Sequence, residues 1–306
     1  MDRMHIRTWL PAMALTSFAA LAVACGADPT PTGTTSASIG QPSEGEVLPI
    51  LGTTVLRVGT QRVAFLLEGA TALITEPTVG VSTSHASGEA STENKRAVFH
   101  KWPFGTRGAY VTELAFDQPG VWRLDIIVGE GEQAKTAQLM LDVQGSVEVR
   151  DIGMMAPFSV TKTLAGVGGD FEKLSSHQRP DPDLYELSVA QSLLNGKPGV
   201  IAFASPAFCT SPTCGPQVDT PVELKNLHRG EADFIHLEIY DNPEEIQGDL
   251  TKGVLSPVLA EWGIDSIPDY RNESWTFVLD RNGRVTARFE GFATLDELEA
   301  ALAEVL

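Results

Sequence analysis

The sequence is short of positive charge. Lys and Arg together number 22 in 306 residues, against 40 Asp and Glu, and the formal net charge is −18. A surface this acidic repels phosphate backbones, so nucleic acid is not expected as a partner. The sequence also lacks a phosphate-cradling glycine loop, a nucleophilic-serine motif and a set of ligands at zinc spacing. We therefore predict no cofactor and no bound metal.

Long apolar runs are also missing, with one exception near the start. A basic stretch with Arg3 and Arg7 precedes the run WLPAMALTSFAALAVA, which ends at Ala24. These 16 residues, interrupted by Pro11, are short for a membrane-spanning helix and typical of the core of a signal peptide. The pattern predicts that residues 1–24 are a signal peptide and that the mature chain leaves the cytosol.

The next residues resemble the processing site of bacterial lipoproteins. Small residues lead into Cys25, although Ala22 stands where that family usually has Leu. In that family the cysteine is diacylated and becomes the first residue, which implies lipidation of Cys25 and a lipid anchor to the membrane. Residues 25–46 are rich in Pro, Thr, Ser and Gly, as expected of a disordered tether. A soluble secreted protein cleaved nearby is the alternative.

Residues 47–147 have the pattern of short strands separated by turn signals. Alternating apolar positions run through three stretches, 54–68, 108–128 and 137–143. The turn residues 117–120 divide the second stretch into two strands, and no helical period appears. This predicts an antiparallel β-sandwich. The segment loosely resembles the immunoglobulin-like accessory domains of bacterial surface proteins.

Few side chains in this half are candidates for metal binding. His85 and His100 lie in polar, loop-like sequence and are expected to be surface histidines, with metal ligation as the alternative. Met154 and Met155 fall in residues 148–182, a turn-rich connection. Paired methionines in an exported protein can ligate copper, but they more often fill gaps in a core or interface, and we favour that interpretation.

From residue 183 onwards the pattern changes to alternating helices and strands. Residues 183–196 have apolar positions at helical spacing, and PGVIAFAS and DFIHLEIYD are continuous apolar runs that suit buried parallel strands. Asn282-Gly283 predicts a hairpin, and Thr294 with Glu297 predicts a capping box at the last helix. The predicted order is helix, strand, helix, strand, helix, hairpin, helix.

The cysteine count becomes informative if Cys25 is lipidated, because only Cys209 and Cys214 then remain in the folded part. An even pair in an oxidising compartment can form a disulfide. Thr213 is a predicted N-cap, and Pro216 fits the first turn of a helix. Free N–H groups and the helix dipole would stabilise a thiolate at this position. Because strand ends usually present the reactive group, we expect Cys209 to be the attacking thiol, with Cys214 as the alternative.

This order of elements, with a cysteine pair after the first central strand, resembles the thioredoxin-like fold over 184–306. Phe208 precedes the first cysteine as an aromatic residue does in that family, and Cys214-Gly215-Pro216 repeats the start of Cys-Gly-Pro-Cys. The resemblance implies thiol–disulfide exchange with protein thiols and disulfides of the cell envelope.

The chain departs from the thioredoxin pattern at three places. The spacing is Cys-x4-Cys, and Gln217 replaces the second cysteine of the family motif. Ser274 precedes Trp275 where the family has a cis-proline, and the nearest proline is Pro268. Ser274 and Trp275 are therefore the candidate supporting residues, beside Thr213 and Pro216.

Two alternatives remain open. The run Cys-Thr-x-x-x-Cys-Gly at 209–215 resembles the atypical two-cysteine peroxiredoxins, which implies a thiol peroxidase. That family has Thr where Pro206 stands and Arg near the position of Glu273 and Ser274. A non-enzymatic surface module with a structural disulfide is the other alternative.

The sequence therefore predicts a multidomain, extracytoplasmic thiol–disulfide oxidoreductase anchored in the cell envelope. Its fold class is an N-terminal antiparallel, immunoglobulin-like β-sandwich followed by a C-terminal α/β thioredoxin-like domain. The predicted segments are the signal peptide 1–24, the tether 25–46, the β-sandwich 47–147, the connection 148–182 and the thioredoxin-like domain 183–306.

Overall fold

A computed structural model describes residues 43, 45–88, 94–103, 105–209, 213–268, 270 and 273–306. The signal peptide, the lipidation site Cys25 and nearly all of the tether lie outside these residues, so those predictions stand as predictions. Within the described ranges no helix combines the length and the apolar character needed to cross a membrane.

Eight strands of the N-terminal half form one hydrogen-bonded sheet. They are β1 Leu48–Leu51, β2 Leu56–Arg57, β3 Gly59–Glu68, β4 Thr78–His85, β5 Asn94–Lys101, β6 Gly108–Phe116, β7 Gly120–Val128 and β8 Lys135–Gln144. The order across the sheet is β1-β3-β6-β5-β4-β7-β8-β2. All pairings are antiparallel except β2 with β8. The chain therefore passes from one edge of the sheet to the other between β1 and β2.

The core of the first sheet comes from alternating residues of its longer strands. In β7, Trp122, Leu124 and Ile126 are fully buried, and their neighbours along the strand are more exposed. The indole N–H of Trp122 donates to the carbonyl of Gln118 at 3.0 Å, which ties the β6–β7 turn to the core. The two strands predicted within 108–128 are confirmed, because a period of two places one face of each strand against the core.

The structure corrects the prediction for the two histidines, since both lie in strands rather than loops. His85 ends β4 and His100 belongs to β5. These strands carry many polar residues, which hid their alternation from the sequence analysis. The His85 ring lies 5.3 Å from that of Trp122, and His100 Nδ1 lies 3.9 Å from Glu297. No cluster of three or more metal-ligating side chains occurs among the residues described.

The C-terminal half contains a second sheet with helices around it. Its strands are β9 Gly199–Ala204, β10 Asp233–Glu238, β11 Trp275–Leu279 and β12 Val285–Glu290. Its helices are α1 Val189–Ser192, α2 Cys214–Leu227, α3 Pro243–Ile246, α4 Val258–Glu261 and α5 Leu295–Ala303. The strand order is β10-β9-β11-β12, with β9 and β10 parallel and the remaining pairs antiparallel. Every residue of β9 and β10 is buried, as the continuous apolar runs predict.

Local sequence signals predicted the helix ends better than they predicted the helix lengths. Thr294 and Glu297 form the predicted capping box at the start of α5. The helix predicted over 183–196 is wrong in extent, because the structure has a 3-10 turn at Pro182–Tyr185 and only the four-residue α1. Ser188 is the reason: its side chain caps α1 together with Gln191, and an N-cap residue has extended backbone that interrupts the preceding turn.

The connection between the sheets does not bury its methionines. Met154 and Met155 are 37% and 48% exposed, so they do not fill a core as the favoured interpretation had it. Met155 instead forms a backbone bridge to Arg284, next to the β11–β12 turn.

Buried ion pairs join the two sheets within one compact unit, residues 41–306. The carboxylate of Asp151, which is 1% exposed, pairs with Arg57 of the first sheet and, at 3.0 Å, with Arg288 of the second. Glu290 accepts hydrogen bonds from the backbone N–H groups of Thr54 and Val55. These contacts fix the position of the first sheet beside the second.

Candidate redox site

The loop after the central strand β9 holds the first cysteine. Ser205 follows β9, and its carbonyl accepts hydrogen bonds from the backbone N–H groups of Phe208 and Cys209 at 3.0 and 2.9 Å. Phe208 packs edge-to-face on Tyr240, with the ring centroids 5.8 Å apart. The turn and the aromatic contact therefore hold Cys209 at the end of the sheet.

Cys209 and Cys214 form a disulfide, and their α-carbons lie 6.1 Å apart. The two cysteines differ in exposure. Cys214 is completely buried, whereas Cys209 is only partly buried against the same apolar cluster. A reagent that approaches the disulfide therefore meets Cys209 first.

Helix α2 begins at Cys214 and extends over 14 residues. Thr213 occupies the N-cap position, but its side chain makes no capping hydrogen bond to the helix residues that the structure describes. Pro216 lies in the first turn, as predicted, where a missing N–H costs nothing. Because Cys214 is the first helical residue, its sulfur lies at the positive end of the helix dipole. A thiolate released at Cys214 is stabilised there.

Gln217, which stands in place of the second motif cysteine, is a buried structural link. Its amide Nε2 donates to Thr276 Oγ1 at 2.8 Å, and its Oε1 accepts from the backbone N–H of Ala293 at 2.7 Å. Gln217 thereby ties α2 to β11 and to the segment before α5. The amide of Gln217 therefore uses both its nitrogen and its oxygen in buried hydrogen bonds.

A buried carboxylate is connected to the cysteine loop through hydrogen bonds. Glu238, at the end of β10, accepts from the hydroxyl and the backbone N–H of Ser176 at 2.7 and 2.8 Å. The Ser176 hydroxyl in turn accepts from the backbone N–H of Ala207, two residues before Cys209, at 3.1 Å. Burial raises the pKa of Glu238, and the hydrogen bonds from Ser176 oppose that rise. A chain of hydrogen bonds thus links this carboxylate to the loop.

Ser274 and Trp275, the other predicted supporting residues, are both buried. The carbonyl of Ser274 accepts from the backbone N–H of Gly291 at 2.8 Å. The Trp275 ring stacks on Phe277 and receives the guanidinium of Arg288 at 5.9 Å from its centroid. Ser274 immediately precedes β11, which begins at Trp275.

His236 is a core residue of β10 rather than a ligand. Its Nε2 lies 3.1 Å from the carbonyl of Ala204, which can only accept, so Nε2 carries the proton. Its Nδ1 then accepts from the hydroxyl of Tyr185 at 2.8 Å. Burial lowers the pKa of His236 to about 4, so the ring is neutral at pH 7.

The depressed pKa predicts a stability change with pH. The unfolded chain binds the His236 proton at its ordinary pKa of about 6.5, whereas the folded chain binds it only near 4. The stabilisation from neutral His236 is therefore complete above pH 6.5 and is lost as the pH falls towards 4. The full loss is about 3 kcal/mol. Urea unfolding of the wild type and His236→Phe from pH 7.5 to 4.5 measures the free energy of unfolding, which should fall more steeply with falling pH in the wild type. An equal fall in the two proteins would contradict the prediction.

The structure bonds Cys209 to Cys214 and places Thr213 and Pro216 at the start of α2, whereas Ser274 and Trp275 lie at the start of β11. The supporting role of these four residues stays a prediction.

Glu238 and Ser176 were not among the predicted site residues, and Gln217 was predicted only as a departure from the thioredoxin motif. Glu238 had a signal, since it is a lone carboxylate in a run of apolar residues. Ser176 had none, because it lies 62 positions before its partner in an irregular segment.

Comparisons with known proteins give weak likenesses. No protein-family model matches the chain, and no curated protein matches it either. A thiol:disulfide interchange protein of the thioredoxin family from Chlorobium tepidum TLS is similar over 40% of this chain and 87% of its own, with 12% identity and a TM-score of 0.31. The cell-surface chitinase ChiW from Paenibacillus sp. str. FPU-7 is similar over 38% of this chain and 10% of its own, with 13% identity and a TM-score of 0.22. At these scores neither likeness decides the fold or the activity.

Proposed function

We propose that this protein is an extracytoplasmic thiol–disulfide oxidoreductase that exchanges with protein thiols through Cys209 and Cys214. The observation that carries the proposal is the unequal burial of the two bonded cysteines, one partly exposed and the other sealed at the start of a 14-residue helix. An exchange enzyme needs this asymmetry, because one sulfur must accept the partner while the other remains inside to resolve the mixed disulfide.

The second sheet supports the thioredoxin-like assignment of residues 183–306. The strand before the cysteines is central, the next strand is parallel to it, and the hairpin strands are antiparallel. Strands β3 to β8 pair in the antiparallel way that the β-sandwich assignment of 47–147 requires, but all eight strands belong to one sheet. The sandwich and its immunoglobulin-like character are therefore part of the proposal. The lipid anchor on Cys25 and the location in the cell envelope rest on the sequence alone.

The proposed reaction follows from the disulfide form. A thiolate of a reduced partner attacks Cys209 Sγ, the Cys209–Cys214 bond breaks, and the electron pair leaves on Cys214 Sγ, stabilised by the helix dipole. A second thiolate of the partner then attacks the partner sulfur bonded to Cys209. The partner leaves with a disulfide, the protein is left as a dithiol, and two electrons have passed to it. The reverse sequence reduces a partner disulfide.

The reduction potential of the pair tests this function. We expect a midpoint between about −120 and −270 mV, the range of working exchange proteins, whereas a structural disulfide lies below about −300 mV. Equilibration with glutathione and dithiothreitol buffers, followed by alkylation and mass analysis of the two thiols, measures the midpoint. A value below −300 mV would identify the surface module with a structural bond. Consumption of hydrogen peroxide by the reduced protein would identify the peroxidase alternative.

A further inference from the structure

A groove of about 650 Å³ lies between the two sheets and reaches the redox site. Its lining includes Ile50, Leu66, Trp102, Thr213, Tyr270 and Trp275. The first three belong to the first sheet or its β5–β6 turn, and the others to the N-cap of α2 and to the segment that leads into β11. Thr213, which immediately precedes Cys214, is the point of contact between the groove and the cysteine loop; neither cysteine is itself part of the lining. We call this cavity the intersheet groove.

The wall of the intersheet groove favours a polypeptide over a very small ligand. A peroxide or a single small thiol would leave most of the groove empty, since its volume lies in the roughly 300–1,000 Å³ range of sites for much larger ligands. Strand β1 is at the edge of the first sheet, and residues 50–52 of that strand and its end line the groove. An edge strand offers backbone groups to an added strand, which favours an extended chain as the occupant.

The charges around the intersheet groove favour one kind of chain. Three glutamates, Glu68, Glu273 and Glu290, belong to its lining, against one cation, Arg107. The formal net charge of the whole chain is −18. This excess of carboxylates, near the groove and over the chain, attracts basic partners and repels acidic ones.

We propose that the intersheet groove docks an extended, apolar and neutral-to-basic segment of the partner protein and presents its cysteine to Cys209. The first sheet then has a function in the reaction: it supplies one wall of the substrate site. This inference rests on the proposed exchange activity and names its substrate class.

The test compares a peptide with a small disulfide. The full chain in a Cys25→Ser background, which keeps Cys209 and Cys214 as its only cysteines, is reduced, freed of reductant and mixed with a short peptide of Leu and Lys residues whose single cysteine is bonded to 2-nitro-5-thiobenzoate. Attack by Cys209 on the peptide sulfur releases one coloured thiolate, and Cys214 then releases the peptide thiol. 5,5′-Dithiobis(2-nitrobenzoate) serves as the small disulfide, and a second peptide with Asp and Ser in place of Lys and Leu tests the charge.

Ile50→Asn and Trp102→Ala are the groove variants, and Ile127→Asn is the matched control. Ile50 and Ile127 lie in the same sheet at 41% and 47% exposure, but Ile127 is not part of the groove lining. We expect each groove variant to react with the Leu/Lys peptide about tenfold more slowly, as for a central interface residue, and to react with the small disulfide at the wild-type rate. The Ile127→Asn control should match the wild type with both.

Each other outcome overturns the inference. Equal rates for groove variants and wild type with the Leu/Lys peptide would show that the groove does not dock it, and so would a wild type that prefers the Asp/Ser peptide. A lower reaction rate of the groove variants with both disulfides would show that Ile50 and Trp102 are needed for the folded structure rather than for docking. If the wild type reacts with neither disulfide, the proposed function itself fails, whereas reaction with the small disulfide alone removes only the docking site.

Discussion

Cys209→Ser is expected to abolish thiol–disulfide exchange and to leave no thiol that a partner can reach. Its physical basis is burial: Cys214 is completely enclosed, so its sulfur can meet a partner only when the structure opens. Cys214→Ser should lose turnover as well, because nothing resolves the mixed disulfide. That variant should instead accumulate a stable mixed disulfide through Cys209.

The measurement is a trapping experiment in a Cys25→Ser background, which leaves the pair as the only cysteines. Each variant is incubated with an oxidised partner peptide, and the covalent adduct is quantified by mass analysis. Labelling of the remaining thiol with a maleimide should be at least about tenfold slower in Cys209→Ser than in Cys214→Ser. Adducts on Cys209→Ser but not on Cys214→Ser would reverse the roles, and equal labelling would remove the asymmetry on which the proposal depends.

Asp151→Ala is expected to lower the free energy of unfolding by about 3–5 kcal/mol. The substitution leaves the nearly buried Arg288 without the Asp151 carboxylate that it contacts. It also removes the ion pair between Asp151 and Arg57, which connects the two sheets. Removing one partner of a buried ion pair is far more costly than the pair's net contribution, because the remaining charge has lost both its solvent and its counterion. Guanidinium chloride unfolding followed by tryptophan fluorescence measures the change.

Asp241→Ala is the matched control, since it removes an aspartate from an ion pair on the surface. Lys162 and Asp241 are each nearly half exposed, and such a pair contributes about 0–1 kcal/mol. Asp151→Ala and Asp241→Ala should therefore differ by several kcal/mol. If the two variants unfold at the same denaturant concentration, the contact between the sheets does not depend on Asp151.

Some of the candidate site follows from the sequence because the relevant signals are local. The continuous apolar run at 199–204 predicts a buried strand, and Pro216 permits a helix to begin at Cys214. The separation of five positions between Cys209 and Cys214 permits a disulfide once the loop turns. Each of these conclusions depends on neighbours within a few positions, whose geometry the backbone restricts.

Other parts of the site could not be predicted because they join distant segments. Ser176 meets Glu238 across 62 positions, and Gln217 meets Ala293 across 76. Polar residues such as these have many equivalent partners along a chain, and no periodicity marks the right one. The strands β4 and β5 were missed for a related reason, since their polar faces hide an alternation that only the paired sheet reveals.

The sequence by itself determined the buried strands at 199–204 and 233–238, the capping box at Thr294 and the presence of one cysteine pair outside the N-terminal segment. Only the tertiary structure decided that Cys214 is buried while Cys209 is partly exposed, and that residues of the first sheet share a groove with Thr213. The physical reason is that local backbone geometry depends on adjacent residues, whereas burial and grooves depend on which distant surfaces pack together.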